Sequence, residues 1–300
     1  MKSETLESHK TRILRALVYL QVHLDESVSL DELAAVACFS PFHFHRIFRG
    51  MVGESVAGHV RRLRLERAAH RLRFTSKSII DIALEAGYET HESFARAFRA
   101  SFDESPSEFR AGHLAAVHAA AATGIHYSDS SALKDFQQVA RRDPPLAVRK
   151  HHLPAMRVAF LRHVGPFDAV GDTWGNLMTW AGRAGLFSSM AGMLGVVHDD
   201  PDITEPAKLR YDAAIILRHA QITPEGDIGI QQIGPGEYAV AKHRGPYEAL
   251  SETYARMCGE WLPESGCELS SAPALEFYRN SPMDAAPEEL LTDIYLPLAG

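Results

Sequence analysis

The chain has 300 residues, 46% of them hydrophobic and 23% charged, with a formal net charge of −7. That length exceeds what one hydrophobic core usually supports and predicts two domains, while the lack of any run of ~18 apolar residues argues against a bilayer-spanning helix. Cys38, Cys258 and Cys267 form neither a CxxC pair nor a disulfide framework, and Met1–Thr5 lacks the apolar core of a signal peptide, so a reducing cytoplasm is the expected compartment.

The charge is unevenly spread. Residues 1–112 hold 16 Lys and Arg against 15 Asp and Glu, a net of +1; residues 113–300 hold 15 against 23, a net of −8. Arginines 46, 49, 61, 62, 64, 67, 71 and 73 stand against only Glu54 and Glu66 in that stretch, a basic band of the kind that meets phosphate backbones.

In chain order, a first helix is expected from about His9 to Leu24, with Ile13, Leu14, Leu17 and Leu20 as its apolar stripe. Ser29 and Glu32 form a potential capping box for a second helix whose apolar face is Leu30, Leu33, Ala34 and Ala37. The turn Cys38-Phe39-Ser40 leads into a third helix. Its inner stripe is Phe44, Ile47, Phe48 and Met51, and its outer face holds Phe42, His45, Arg46 and Arg49. The same unit then recurs: Ser78 and Asp81 cap, Ile79, Ile82, Ala83 and Ala86 repeat the apolar face, and Gly87-Tyr88-Glu89 repeats the turn. At an offset of fifty residues Phe44 matches Phe94, Arg46 matches Arg96, Phe48 matches Phe98, Arg49 matches Arg99, and Glu54-Ser55 matches Glu104-Ser105.

Between the units, Val56 to Phe74 reads as a helix of nineteen residues, roughly 28 Å at ~1.5 Å per residue. That approaches the ~34 Å between successive major-groove faces of B-DNA. His43 and His45, with His59 nearby, invite a metal reading, but residues at i and i+2 lie on different sides of a helix, and no metal or other cofactor is expected.

The run LDELAAVACFSPFHFHRIFRG, followed by IIDIALEAGYETHESFARAFRASFDESPSEFR, resembles the DNA-binding domain of AraC-type transcription regulators from about Thr11 to Gly112. The resemblance implies that Phe42, His45 and Arg46 of the first recognition helix, and Glu92, Ser93 and Arg96 of the second, face base edges, with His91 a further DNA-binding candidate. It further implies that Arg49, Thr90, Arg99, Arg61 and Arg62 hold phosphates. The chemistry suits those roles: Arg46 and Arg96 can each meet a guanine edge in bidentate fashion, and Phe42 can press on a thymine methyl. Glu92 has two readings, an acceptor for a cytosine amino group or a carboxylate favoured by the helix dipole.

Residues 113–145 alternate Ala-rich and polar text and close on Asp143-Pro144-Pro145, which reads as a linker. From 146 to 300 a second repeat is visible. At an offset of eighty, His163 matches His243 and Gly165-Pro166-Phe167 matches Gly245-Pro246-Tyr247; later, at eighty-one, Leu209 and Asp212 match Leu290 and Asp293. Each copy is expected to run strand, Gly-Pro turn, helix and two strands.

The architecture expected is therefore multidomain, an all-α double helix-turn-helix domain (1–112) followed by an α+β domain (146–300) of two pseudo-symmetric βαββ units with a cleft between them.

The pieces RHVGPF, KHRGPY, LRYDAA, PALEFY and TDIYLPL resemble the GyrI-like, or Rob/BmrR-type, effector-binding domain. That implies an aromatic-lined pocket for lipophilic, often cationic compounds. Glu276 matches the carboxylate that meets the ligand's charge, and Tyr295 matches a pocket aromatic. Trp174, Tyr254 and Tyr278 are the other candidate walls, with core packing as the alternative reading for Trp174 and Tyr254 and a structural carboxylate as the alternative for Glu276.

Together these readings imply a ligand-responsive, sequence-specific transcription regulator and not an enzyme. The partners expected are double-stranded promoter DNA, a small-molecule effector and RNA polymerase, with a monomer or homodimer and no membrane. Two alternatives stand beside it: a hydrolase using Glu276 on electrophilic small molecules, and a protein-interaction module.

Overall fold

The computed structural model describes residues 2–112, 118–128, 133–201, 203–218 and 224–300, apart from the side chains of 2–7 and of Phe42. It divides into two compact units, one spanning Leu6–Ala140 and the other built on Arg141–Gly300.

The first unit is helical. Helix α1 (Lys2–Val22) begins earlier and ends two residues sooner than its sequence pattern suggests. It is followed by α2 (Leu30–Val36), α3 (Pro41–Val52), α4 (Val56–Phe74), α5 (Ile79–Glu85), α6 (His91–Phe102) and α7 (Pro106–Ala111). Each helix from α2 to α7 starts at a Ser or Thr in extended backbone: Ser29, Ser40, Ser55, Ser78, Thr90 and Ser105 each accept a backbone N–H three residues on. Six orphan helix donors are satisfied this way, each typically contributing about 1 kcal/mol. At Ser29 the box is only half made, because Glu32 accepts the Tyr19 hydroxyl instead of reaching back. The full capping box forms at Ser105 and Glu108.

Phe44, Ile47, Phe48 and Met51 are buried, as are Leu65, Leu72, Phe94, Phe98 and Phe109 in the second half. The third-helix stripe and its repeat therefore form the cores their spacing demands.

The second unit is one eight-stranded antiparallel sheet with helices. Strands β1 (Val148–Leu153), β2 (Met156–Val164), β3 (Met190–Val197) and β4 (Arg210–Leu217) are repeated as β5 (Ile228–Ile233), β6 (Gly236–Arg244), β7 (Ala274–Tyr278) and β8 (Leu291–Pro297). Helix α8 (Val170–Arg183) packs on β2 and β4. Its counterpart α9 (Leu250–Arg256) packs on β6 and continues through one π-helical stretch, Met257–Trp261. The sheet order is β1-β6-β8-β7-β3-β4-β2-β5. Each repeat thus carries one strand more than the expected βαββ, and that leading strand crosses over: β1 pairs with β6 of the other repeat and β5 with β2. The sheet is continuous because β3 and β7, equivalent strands, pair at the pseudo-twofold axis.

Candidate functional site

The two recognition helices stand in different surroundings. On α6, His91, Glu92, Arg96 and Arg99 are exposed and Ser93 half-buried, with Thr90 at the cap. Arg99 reaches Glu108 at 3.0 Å, a surface pair that phosphate can compete with at little cost. On α3, His45 is 2% exposed and Arg46 6%, while Arg49 is half-buried. These two side chains, expected at base edges, are covered in this conformation. The side chain of Phe42 lies outside the described residues.

The basic band is corrected more sharply. Arg62, expected on phosphate, is buried: its Nη2 is 2.7 Å from Glu54 Oε1, and its Nη1 donates to Glu66 Oε1 at 3.0 Å and to the Ile125 carbonyl at 2.8 Å. Two carboxylates and a carbonyl saturate the guanidinium, which is held as a structural cation. Arg64 donates to the Leu24 carbonyl, Arg67 to Asp25 and the Glu85 carbonyl, and Arg71 to Glu85. Most of the arginines on α4 therefore tie the two helix-turn-helix units to the spacer; Arg61 is exposed.

The described residues of 113–140 lie along this unit. Glu66 accepts from the backbone N–H of Ala119 (3.1 Å) and Tyr127 (2.8 Å), Val139 N donates to Met51 O at 3.0 Å, and Asp135 pairs with Lys10 at 2.6 Å.

In the second unit, strand alternation gathers a carboxylate and aromatic rings on one sheet face. Glu276 is buried; its Oε1 accepts the Tyr254 hydroxyl at 3.0 Å and its Oε2 the Tyr278 hydroxyl at 2.7 Å. The Tyr211 hydroxyl lies 2.7 Å from that of Tyr278, extending the chain of donors. Trp174 and Tyr247 stand edge-on to Tyr278, with centroids 5.7 Å and 5.5 Å away, and Phe167 stands edge-on to Tyr211 at 6.1 Å. Burial, and then the Glu276 charge, push the Tyr211 and Tyr278 hydroxyls well above their ordinary range, so both remain donors near neutrality.

Tyr295 does not join this cluster. In the β7–β8 register it pairs with Leu275, while Glu276 pairs with Ile294. Paired residues share a face and neighbours alternate, so Tyr295 sits on the opposite side, packed on Phe277 at 4.5 Å.

Sequence reasoning missed Tyr211, Phe167 and Tyr247. The signal was present for two of them, since Phe167 and Tyr247 are the aromatic third members of the duplicated Gly-Pro turns. It also missed Gly195, where any Cβ would run into the Tyr211 ring. The duplicated histidines are clips: His163 lies 3.1 Å from the Thr173 hydroxyl and 2.9 Å from the Pro166 carbonyl, and His243 repeats this with Thr253 (2.8 Å) and Pro246 (3.2 Å). Each clip locks a Gly-Pro turn, with Gly165 and Gly245 at φ +146° and +138°, onto the helix that supplies a wall.

Residues 146–299 match the model of the GyrI-like small molecule binding domain and residues 33–112 that of a helix-turn-helix domain. The transcriptional regulator Rob of Salmonella typhimurium is 37% identical over 94 residues, which are 31% of this chain and 32% of Rob, so the match spans about a third of that relative. Regulatory protein SoxS of Escherichia coli (strain K12) is 33% identical over 103 residues, 34% of this chain and 96% of SoxS. A crystal structure of an AraC-type transcriptional regulator from Chromobacterium violaceum is 30% identical with a TM-score of 0.32, covering 34% of this chain and 90% of that one. The chain belongs to the GyrI-like small molecule binding domain family and carries an AraC-type DNA-binding domain at its N-terminus.

Proposed function

We propose that the protein is a ligand-responsive, sequence-specific transcription regulator whose C-terminal domain binds a lipophilic, positively charged small molecule. The observation that carries this reading is Glu276: a buried carboxylate, hydrogen-bonded by two phenols and walled by further aromatic rings, in a chain that also holds paired helix-turn-helix units. A buried anion costs free energy that two neutral hydrogen bonds only partly offset. An aromatic cation supplies the missing charge and gains cation–π contact of about 2 kcal/mol when desolvated.

On DNA, the exposed α6 is the leading prong. Arg96 is placed for a bidentate base contact, with Thr90, Arg99 and Arg61 for phosphates. Entry of α3 into a second groove requires His45 and Arg46, buried in this conformation, to be uncovered. RNA polymerase as a downstream partner is supported by the family alone.

Two titrations test this. Duplexes selected from random sequence are bound by wild-type protein and by Arg96→Ala with Arg99→Ala, following fluorescence anisotropy at several salt concentrations. Unchanged affinity in the double variant overturns the DNA half. Thermal shift with an aromatic quaternary ammonium dye and a neutral analogue of the same shape tests the other half. Wild type is stabilised by the cation in preference, and Glu276→Gln loses that preference; equal response to both compounds overturns it.

A further inference from the structure

Glu66, midway along α4, has a fully buried side chain, and the chain beyond the helical domain closes on it. Its Oε1 accepts from Arg62 Nη1 (3.0 Å), Ala119 N (3.1 Å) and His126 Nδ1 (3.0 Å). Its Oε2 accepts from Tyr127 N (2.8 Å) and faces His118 Nδ1 at 3.8 Å. The two imidazoles lie 4.4 Å apart by centroid, and one ligand atom from each of the three residues falls within 4.8 Å of the others. We propose that Glu66, His118 and His126 form a binding site for a first-row divalent transition metal, best suited to zinc, that clasps residues 118–127 onto α4.

Geometry supports this. Zinc bonds to nitrogen and oxygen are ~2.0–2.1 Å, so tetrahedral ligands stand about 3.3–3.4 Å from one another. His126 Nδ1 stands 3.0 Å from Oε1 and His118 Nδ1 3.8 Å from Oε2, close to that edge, and His118 is exposed and His126 half-buried, so both rings can turn. Two imidazoles and one carboxylate, with a fourth position open to water, is a ligand set that zinc accepts.

Charge supports it too. Glu54 and Glu66 share the single guanidinium of Arg62, and His59 beside them is so buried that its charged form is disfavoured. Among the described groups one negative charge is left over, in a place where an unbalanced charge is costly. Arg62 and the Ala119 N–H occupy Oε1, so the metal takes Oε2, where His118 approaches, and the His126 ring turns from Oε1 to join it. His43 and His45, the histidines that invite a metal reading in sequence, take no part.

The test uses the full chain, free of any histidine tag and stripped with a chelator. Zinc is titrated by calorimetry and cobalt(II) by its visible d–d absorbance. One equivalent is expected, with a four- or five-coordinate cobalt spectrum and slower proteolysis of residues 118–127 when loaded. His118→Ala with His126→Ala leaves the apo melting temperature near wild type and lowers affinity at least about tenfold. The chain has 16 histidines, so stoichiometric binding that survives in the double variant assigns the metal elsewhere and overturns the proposal. No binding to wild type also overturns it. Glu66→Gln is a poorer probe because Glu66 anchors two backbone N–H groups. DNA and dye titrations report the proposed regulation separately, so the two readings fail independently.

Discussion

Helices α3 and α6 share a sequence pattern and a cap, yet one is enclosed and the other open. Arg96 is exposed where Arg46 is 6% exposed, and half-buried Ala95 stands where His45 is 2% exposed. Both helices end in a left-handed residue, Gly53 at φ +84° and Asp103 at φ +59°. At Gly53 a Cβ would come within 2.7 Å of Val139 Cγ2; Asp103 carries its side chain into solvent. The two units share one device at their turns. Arg12 of α1 holds the end of α2 through the Ala37 and Cys38 carbonyls, much as Arg67 of α4 holds the end of α5 through Glu85. Among the described residues, the segment after Gly112 is bonded to Met51 and packed on Gly53 of the first unit. Equal patterns therefore specify equal helices, while their surroundings differ: residues 122 and 139 pack at the end of α3, and His45 and Arg46 are buried where Ala95 and Arg96 are not.

The strongest way to break this comparison is at the anchor. Arg62→Ala leaves two carboxylates and the Ile125 carbonyl without their cation and is expected to destabilise the helical unit by about 3–5 kcal/mol. Chemical denaturation measures it, and a loss near zero would mean the ion pairs are not what holds the segment down. Next comes the asymmetry on DNA. Arg96→Ala is expected to cost about 1–3 kcal/mol of specific binding, and Arg46→Ala clearly less; equal losses in anisotropy titrations would place α3 in the groove as fully as α6.

Acid offers a third test, of about 2 kcal/mol. Burial by itself raises the Glu54 carboxyl, but hydrogen bonds from His59 and Arg62 outweigh it and hold the group down at about 2, below its ordinary value of 4.5. Because the folded value is depressed, this stability is present above pH ~4.5 and is lost as the pH falls through the folded value toward ~2. The difference in urea midpoint between wild type and Glu54→Gln should shrink across that window. Constancy of the gap would assign it to packing. The smallest effect is expected from Val139→Asp, which loosens the cover alone: proteolysis within 133–140 quickens and DNA affinity rises by a few-fold, about what removal of a modest conformational cost yields. Lower affinity in that variant would mean the segment helps α3 bind.

Much of this was legible in the residues. Ser and Thr before each helix from α2 to α7 mark the starts, because a cap is a contact between positions three apart. The stripes of Phe44, Phe48, Phe94 and Phe98 mark the cores, and α4 runs over Val56–Phe74 as its pattern implies. The duplicated Gly-Pro turns exposed the twofold plan of the second domain. The leading strands β1 and β5 were not legible, since each is short and pairs with the other repeat.

The chain's own order of residues thus determined helices and caps, because those signals span only a few positions, and the repeats, because the same local pattern recurs; Glu276 stood out through its family resemblance. The face taken by Tyr295 required the β7–β8 register, since a shift of one residue exchanges sides. The fate of Arg62, His45 and Arg46, and the meeting of Glu66 with His118 and His126, were decided only by the tertiary structure. Whether a charged side chain faces solvent or a buried partner depends on contacts such as Arg62 with Ile125 and Glu66 with His126, which close across sixty residues and more, and no local periodicity records them.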